Sequence, residues 1–145
     1  MADVLFNIAK GAVAEQARDD ATKFGILLLK VAEADATLID YATVAAILAG
    51  ANTECDFTNY ARKTPITATL TVDNVNNRVD VDMPDQTWTT AGGGVNNTTA
   101  KLIVFYENAA ADGTRIPVGA YDFVATTDGN DLTATLTTTY FFRAT

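Results

Sequence analysis

The chain has 145 residues, 48% of them hydrophobic and 19% charged, with a formal net charge of −8 and no histidine. That length and composition fit one folded domain rather than two, or a disordered acidic tail. The acidity disfavours a phosphate-backbone partner, and no apolar run reaches the ~20 residues a membrane span requires, so neither nucleic acid nor membrane is expected.

The missing imidazole removes the commonest general base near neutral pH, the commonest metal ligand and the Ser-His and Cys-His nucleophile pairs. Cys55 is the single cysteine, which excludes an internal disulfide. Carboxylates, lysines and tyrosines are left for acid–base chemistry. No catalytic residue, cofactor or metal is expected, and the chain does not read as an enzyme. The opening "MADVLFNIAK" lacks a secretory leader, so synthesis in a cytoplasm is expected.

In chain order, residues 1–20 read as an amino-terminal arm with a short helix in "AVAEQAR". The body then runs from 21 to 145. "KFGILLLKVA" (23–32) is a continuous apolar run of strand length, as in a strand buried on both faces. "DATLIDYATVAAILAGAN" (35–52) predicts a helix near 40–49. Asp40 would cap it, Val44, Ile47 and Leu48 would share one face, and Gly50 would supply a left-handed stop. From Pro65 the pattern becomes β. "ITATLTVD" (66–73) and "RVDVDM" (78–83) alternate and predict a hairpin. "QTWTT" (86–90) continues weakly, and "AGGGVNNTT" (91–99) is a flexible loop. "AKLIVFYE" (100–107) is the second apolar strand, and "ENAAADGTR" (107–115) is a loop. "YDFVATT" (121–127) and "LTATLTTTYFFRA" (132–144) predict a hairpin across the turn "DGND". The fold class is mainly β with one short helix (α+β): a single β-sandwich or barrel-like domain with an amino-terminal arm.

The words "FNIAKGAVAE", "ATLIDYATVAAILAGANTE", "TNYARK", "VDNVNNRVDVDMPDQTWTTAGGGVNNT", "KLIVFYE" and "TTDGNDLTATLTTTYFFRAT" together resemble small virion proteins of tailed bacteriophages, those infecting actinobacteria among others. The resemblance covers essentially the whole chain. Its most specific parts are "PDQTW" (84–88), "KLIV" (101–104) and "TDGNDLTA" (127–134). Where such proteins often carry a cysteine after "KLIV", this chain has Phe105. The resemblance implies a head accessory role, decoration or minor capsid, and supplies no catalytic residue. It implies a virion location on the capsid exterior, with the major capsid protein and further copies of the chain as partners. A trimer is the first expectation.

Several residues are candidates for contact. Phe6 and Ile8 make the arm short and apolar enough to order against the shell or a sister subunit. Tyr60, Arg62 and Lys63 in "NYARK" form the one basic spot in an acidic chain. They are open to two readings: a solvated connector, or a footprint on a negatively charged capsid neighbour. Trp88 reads as a core edge or interface anchor. Asp80, Asp82 and Asp85 could offer carboxylates to calcium, but Asp80 and Asp82 share one strand face, as an ordinary wet face does. "DGND" is explained by turn chemistry, the glycines at 92–94 lack the following Lys-Ser/Thr of a phosphate loop, and Cys55 is an inert small hydrophobe. The alternative function is a tail- or fibre-associated receptor- or carbohydrate-binding module that stacks glycans on Trp88, Tyr106 and Tyr121.

Overall fold

The computed structural model describes residues 4–6, 20–136 and 142–144. Along the chain these form β1 (Val4–Leu5), β2 (Phe24–Val31), α1 (Asp35–Leu38), α2 (Val44–Ala49), β3 (Thr53–Glu54), β4 (Lys63–Ile66) and β5 (Thr69–Asp73). There follow β6 (Arg78–Asp82), β7 (Gln86–Trp88), β8 (Lys101–Glu107), β9 (Arg115–Asp122), β10 (Leu132–Ala134) and β11 (Phe142–Ala144). The protein is mainly β, with antiparallel pairing throughout the named strands.

The two apolar runs of the sequence lie side by side at the centre. β2 pairs with β8 from Phe24↔Tyr106 to Leu29↔Lys101, and β8 pairs on its other side with β9. Phe24, Ile26, Leu27, Leu28 and Leu29 are fully buried, as are Ile103, Val104 and Phe105. A central strand covered on both faces has no wet side, which is why neither run alternates. β1 extends this sheet beyond β9, while β3 and β4 both pair with β2 at the opposite side, giving six strands. β5, β6 and β11 form a second sheet, and β7 and β10 a third. Leu38, Val44, Ile47, Val81, Met83 and Trp88 bring the helices and smaller sheets into one buried cluster with β2 and β8.

The hairpin predicted from alternation is present: β5 and β6 pair from Thr69↔Asp82 to Asp73↔Arg78. Ile66, expected to begin it, instead ends β4, which carries Pro65 and pairs only with β2. Proline lacks the N–H that a strand paired on both sides would use, so this position suits an edge.

The stretch 35–52, expected to hold one helix near 40–49, holds two short helices separated by residues 39–43. Asp40 does not cap the second one. Thr43 does, its backbone extended and its Oγ1 accepting the Ala46 N–H at 3.1 Å. Gly50 is not left-handed, with φ −76° and ψ −165°. Its small size matters for another reason: a Cβ there would come within 2.2 Å of the Tyr41 hydroxyl and 2.8 Å of Glu33 Oε2. Tyr41 donates a 2.7 Å hydrogen bond to that same Glu33 oxygen, and Asn52 a 2.6 Å one. Glycine leaves room for this polar knot.

The carboxy-terminal part departs furthest from expectation. β9 spans Arg115–Asp122, so all but its last two residues precede the strand predicted at 121–127. Its Pro117 and Gly119 are residues that local reading assigns against a strand interior, and the ladder shifts register beside them. Among the described residues the hairpin across "DGND" does not form as predicted. β10 pairs with β7 and β11 with β6, both distant in the chain. Residues 91–99 lack regular structure for the most part, but they are held in place. Ala91 N–H donates to Asn130 O at 2.9 Å, Gly92 N–H to Thr58 O at 2.9 Å, and Gly129 N–H to Ala91 O at 2.8 Å.

Candidate interface and its ion-pair network

Of the residues singled out for contact, the structure brings Tyr60, Arg62, Lys63 and Trp88 together, but turns them inward. Tyr60 packs edge-on against Phe57, with centroids 5.1 Å apart. Its hydroxyl accepts the Leu28 N–H at 3.1 Å and donates to Glu54 Oε1 at 2.7 Å. Burial, with the Glu54 carboxylate beside it, holds the Tyr60 phenol well above its ordinary range. Trp88 is 1% exposed, and its indole N–H donates to the Ala61 carbonyl at 2.7 Å. Lys63 Nζ lies 5.3 Å from the Trp88 ring centroid, a cation–π contact. Of the two residue types read in Trp88, core edge and interface anchor, its burial supports the first.

Arg62 is neither a solvated connector nor an available positive footprint. Its Nε and Nη2 fork onto Glu54 at 2.8 and 2.7 Å, and its Nη1 reaches Asp112 Oδ1 at 2.5 Å. Asp112 also accepts from Arg115 at 2.7 Å, and Arg115 lies 3.3 Å from Glu107. Glu107 in turn accepts the Thr64 hydroxyl at 2.7 Å. The result is a chain Glu54–Arg62–Asp112–Arg115–Glu107 that ties β3, the residues before β4 and both ends of the β8–β9 connection. The hydrogen bonds it donates to Glu54 and Asp112 raise the Arg62 guanidinium further above its ordinary value. Those from Arg62 and then Arg115 hold the Asp112 carboxyl below the usual range, and the Thr64 hydroxyl followed by Arg115 does the same for Glu107. Sequence reading found Arg62 and missed its partners, which lie 8 and 50 residues away and carry no local signal. The one available hint was a positive residue in a chain of net charge −8.

Phe6 lies at the other side of the large sheet and is not a free anchor. It is fully buried, and β1 just before it pairs with β9 through Val4↔Ala120 and Leu5↔Gly119. The described part of the expected arm, residues 4–6, closes onto the chain's own sheet. Ile8 and the predicted helix in "AVAEQAR" lie outside the described residues.

The acidic ladder is also only partly wet. Asp80 is 8% exposed, and Arg143 forks onto it through Nε at 2.5 Å and Nη2 at 3.0 Å. Arg143 first, then Arg78, holds the Asp80 carboxyl below its usual range. Arg78 Nε lies 3.0 Å from Asp73 but without hydrogen-bond alignment, so that contact is one of charge alone. Asp85 accepts the Leu136 N–H at 3.0 Å. No group of three or more metal-ligating side chains occurs among the described residues. In "DGND", Asp128 accepts the Asn130 N–H and Asp131 the Thr90 N–H, so the turn reading holds. The Gly93 N–H donates to Asn96 Oδ1 at 2.7 Å rather than pointing outward. Burial pushes the Cys55 thiol up to about 12, which keeps it a protonated hydrophobe at neutral pH.

Neither protein-family models nor curated proteins nor solved structures match this chain. The functional reading therefore rests on the site itself and on the wording of the sequence. Every described lysine and arginine except Lys63 lies within ion-pair distance of a carboxylate. Lys101, for instance, is 8% exposed and clamped between Asp35 and Asp122. Burial alone would lower its pKa, but the hydrogen bonds to Asp122 and Asp35 outweigh that and raise it. Such groups rigidify a domain. Their positive charge is already matched within the chain.

Proposed function

We propose that the protein is a structural component of a tailed-bacteriophage virion that decorates the outside of the capsid and stabilises it. It would be made in the host bacterial cytoplasm and assemble on the head, bridging capsomers as a homo-oligomer with the major capsid protein as its other partner. It would act by adhesion rather than by catalysis. Each contact adds binding free energy that opposes separation of neighbouring capsomers under packaged DNA. A modest affinity per site becomes large when several sites are engaged together.

The observation that carries this reading is the matching of cations by internal carboxylates, which leaves an acidic exterior around an antiparallel body with a continuous core. A cement protein needs that combination of rigidity and dispersion, because many copies are displayed on one particle without sticking to other particles. The whole-length resemblance of the sequence to small virion proteins points the same way. Two of the three aromatic residues first considered for a glycan-stacking module are withdrawn from the surface, and the third, Tyr121, is half-buried. Trp88 is 1% and Tyr106 4% exposed, and Tyr106 stacks edge-on against Phe24 within the core.

The test is a particle assembled with and without the protein. Electron cryomicroscopy is expected to place its density on the head exterior. Particles lacking it are expected to release DNA at lower temperature and under milder osmotic shock. Density on the tail, or particles equally robust without it, would sink the proposal.

A further inference from the structure

Among the described residues, the edges of the six-stranded sheet are protected in the usual ways, and the outer edge of β5 is not. β1 and β3 are two residues long, β3 meets β2 across a register shift, and β4 carries Pro65. Short length, bulges and proline all discourage a foreign strand from adding on. β5 has none of these. It is five residues long, pairs with β6 without interruption, and has β6 as its only strand partner among the described residues. Its first four residues, Thr69 to Val72, carry no charge on a chain of net charge −8. Beside this edge the ribbon's apolar face is left partly open. Leu70 pairs with the fully buried Val81, but Val72, opposite Val79, is 63% exposed, and Val75 at the turn is 90% exposed.

We infer that β5 is a homotypic docking edge, where a second copy of this chain pairs its own β5 antiparallel across a twofold axis at Thr71. That register is the one in which the strand overlaps its counterpart over its full length. With Thr71 opposite its counterpart, all five residues overlap, Leu70 of each copy lies opposite Val72 of the other, and Asp73 faces Thr69. Sliding the strands toward the turn brings the two Asp73 carboxylates together, and sliding them away shortens the overlap. Because antiparallel pairing with this register keeps the pleat in phase, the apolar faces of the two ribbons fall on the same side. The exposed Val72 then gains an apolar neighbour, and the edge N–H and C=O groups gain partners. An isologous contact of this kind makes pairs, not the trimer expected from the sequence. It stands on the sheet edge itself, whether or not the protein is a virion component.

Sedimentation of the purified chain is expected to give twice its 15.4 kDa mass. Thr71→Lys, on an exposed position opposite Asp80 within the fold, is expected to return it to 15.4 kDa with an unchanged circular dichroism spectrum. Thr71→Cys keeps the proposal testable if the lysine variant misfolds. Counterparts at the axis have Cα atoms about 4.5–5.5 Å apart, within disulfide range. Copies of residue 69 are separated by roughly 13 Å in this register. Thr71→Cys is therefore expected to form a disulfide-linked pair on mild oxidation, and Thr69→Cys is not, with the native Cys55 buried in both. A wild-type monomer, a trimer, a pair indifferent to Thr71→Lys, or equal cross-linking at 69 and 71 would each overturn the inference.

Discussion

Arg62 shows what a single residue contributes here. It holds two carboxylates from distant parts of the chain, and its own side chain is 19% exposed, against 20% for Glu54 and 32% for Asp112. Removing one member of such a group costs more than the pair is worth, because the remaining charges keep their desolvation penalty and lose their partner. Arg62→Ala is expected to destabilise the fold by about 3 kcal/mol, read as a lower urea midpoint at unchanged slope. Arg62→Lys keeps the charge but cannot fork onto Glu54 and reach Asp112 at once, so a loss of about 1–2 kcal/mol is expected to remain. A lysine variant as stable as wild type would mean that charge alone, and not the planar fork, organises this network. The same residue marks a boundary of sequence reading. That Arg62 stood out in an acidic chain was legible; that its charge is answered internally was not, because Glu54 and Asp112 meet it only after the sheet has formed.

At the scale of elements, the strands that were legible are those whose evidence is local. β2 and β8 announce themselves as unbroken apolar runs, and the β5–β6 hairpin by alternation on both sides of a polar turn. Thr43 was a better cap than Asp40 but lay inside a stretch that propensity reads as one helix. The pairings β10–β7 and β11–β6 were not legible, since threonine-rich strands of similar composition could pair in several ways. β2 and β8 also show a fit that periodicity cannot reveal. Gly25 pairs across the ladder with Phe105, and a Cβ at Gly25 would come within 2.4 Å of that ring and 3.1 Å of the Lys63 carbonyl. The glycine is there for close approach in a central strand, where it otherwise weakens the ladder. Gly25→Ala is expected to cost about 1–3 kcal/mol by overpacking. Phe105→Leu, which opens space at the same spot, is expected to be destabilising alone. In the double variant the two losses should fall short of their sum, as neighbours sharing one volume do. Strict additivity in a denaturation series would show that the ring and the glycine are not coupled.

For the whole molecule, the lack of histidine and the ion-pair network together fix how stability should depend on pH. Asp80, Asp112 and Glu107 all have folded pKa values below their ordinary ones, because Arg143, Arg62 and the Thr64 hydroxyl respectively stabilise the ionised forms. A group depressed in this way binds its proton more readily when unfolded. Its stabilisation is complete above the unfolded value of about 4 and disappears as pH falls through the folded one. On the alkaline side the sign reverses. Cys55, pushed to about 12 by burial, and Tyr60, raised by burial and Glu54, both release protons more readily in the unfolded chain. Their contribution is complete below about pH 8.5 and is lost as pH rises beyond it. Between these limits no side chain of the sequence has an ordinary pKa to titrate. The urea midpoint is therefore expected to be level from about pH 5.5 to 8, to fall below about pH 4, and to decline again above about pH 9. Arg62→Ala should flatten part of the acid limb, since Asp112 then titrates closer to its unfolded value, and Cys55→Ala should delay the onset of the alkaline one. A midpoint that slopes through neutrality would mean that some carboxylate is held strongly protonated in the fold, and the assignment of these carboxylates as ionised partners of arginine would have to be given up.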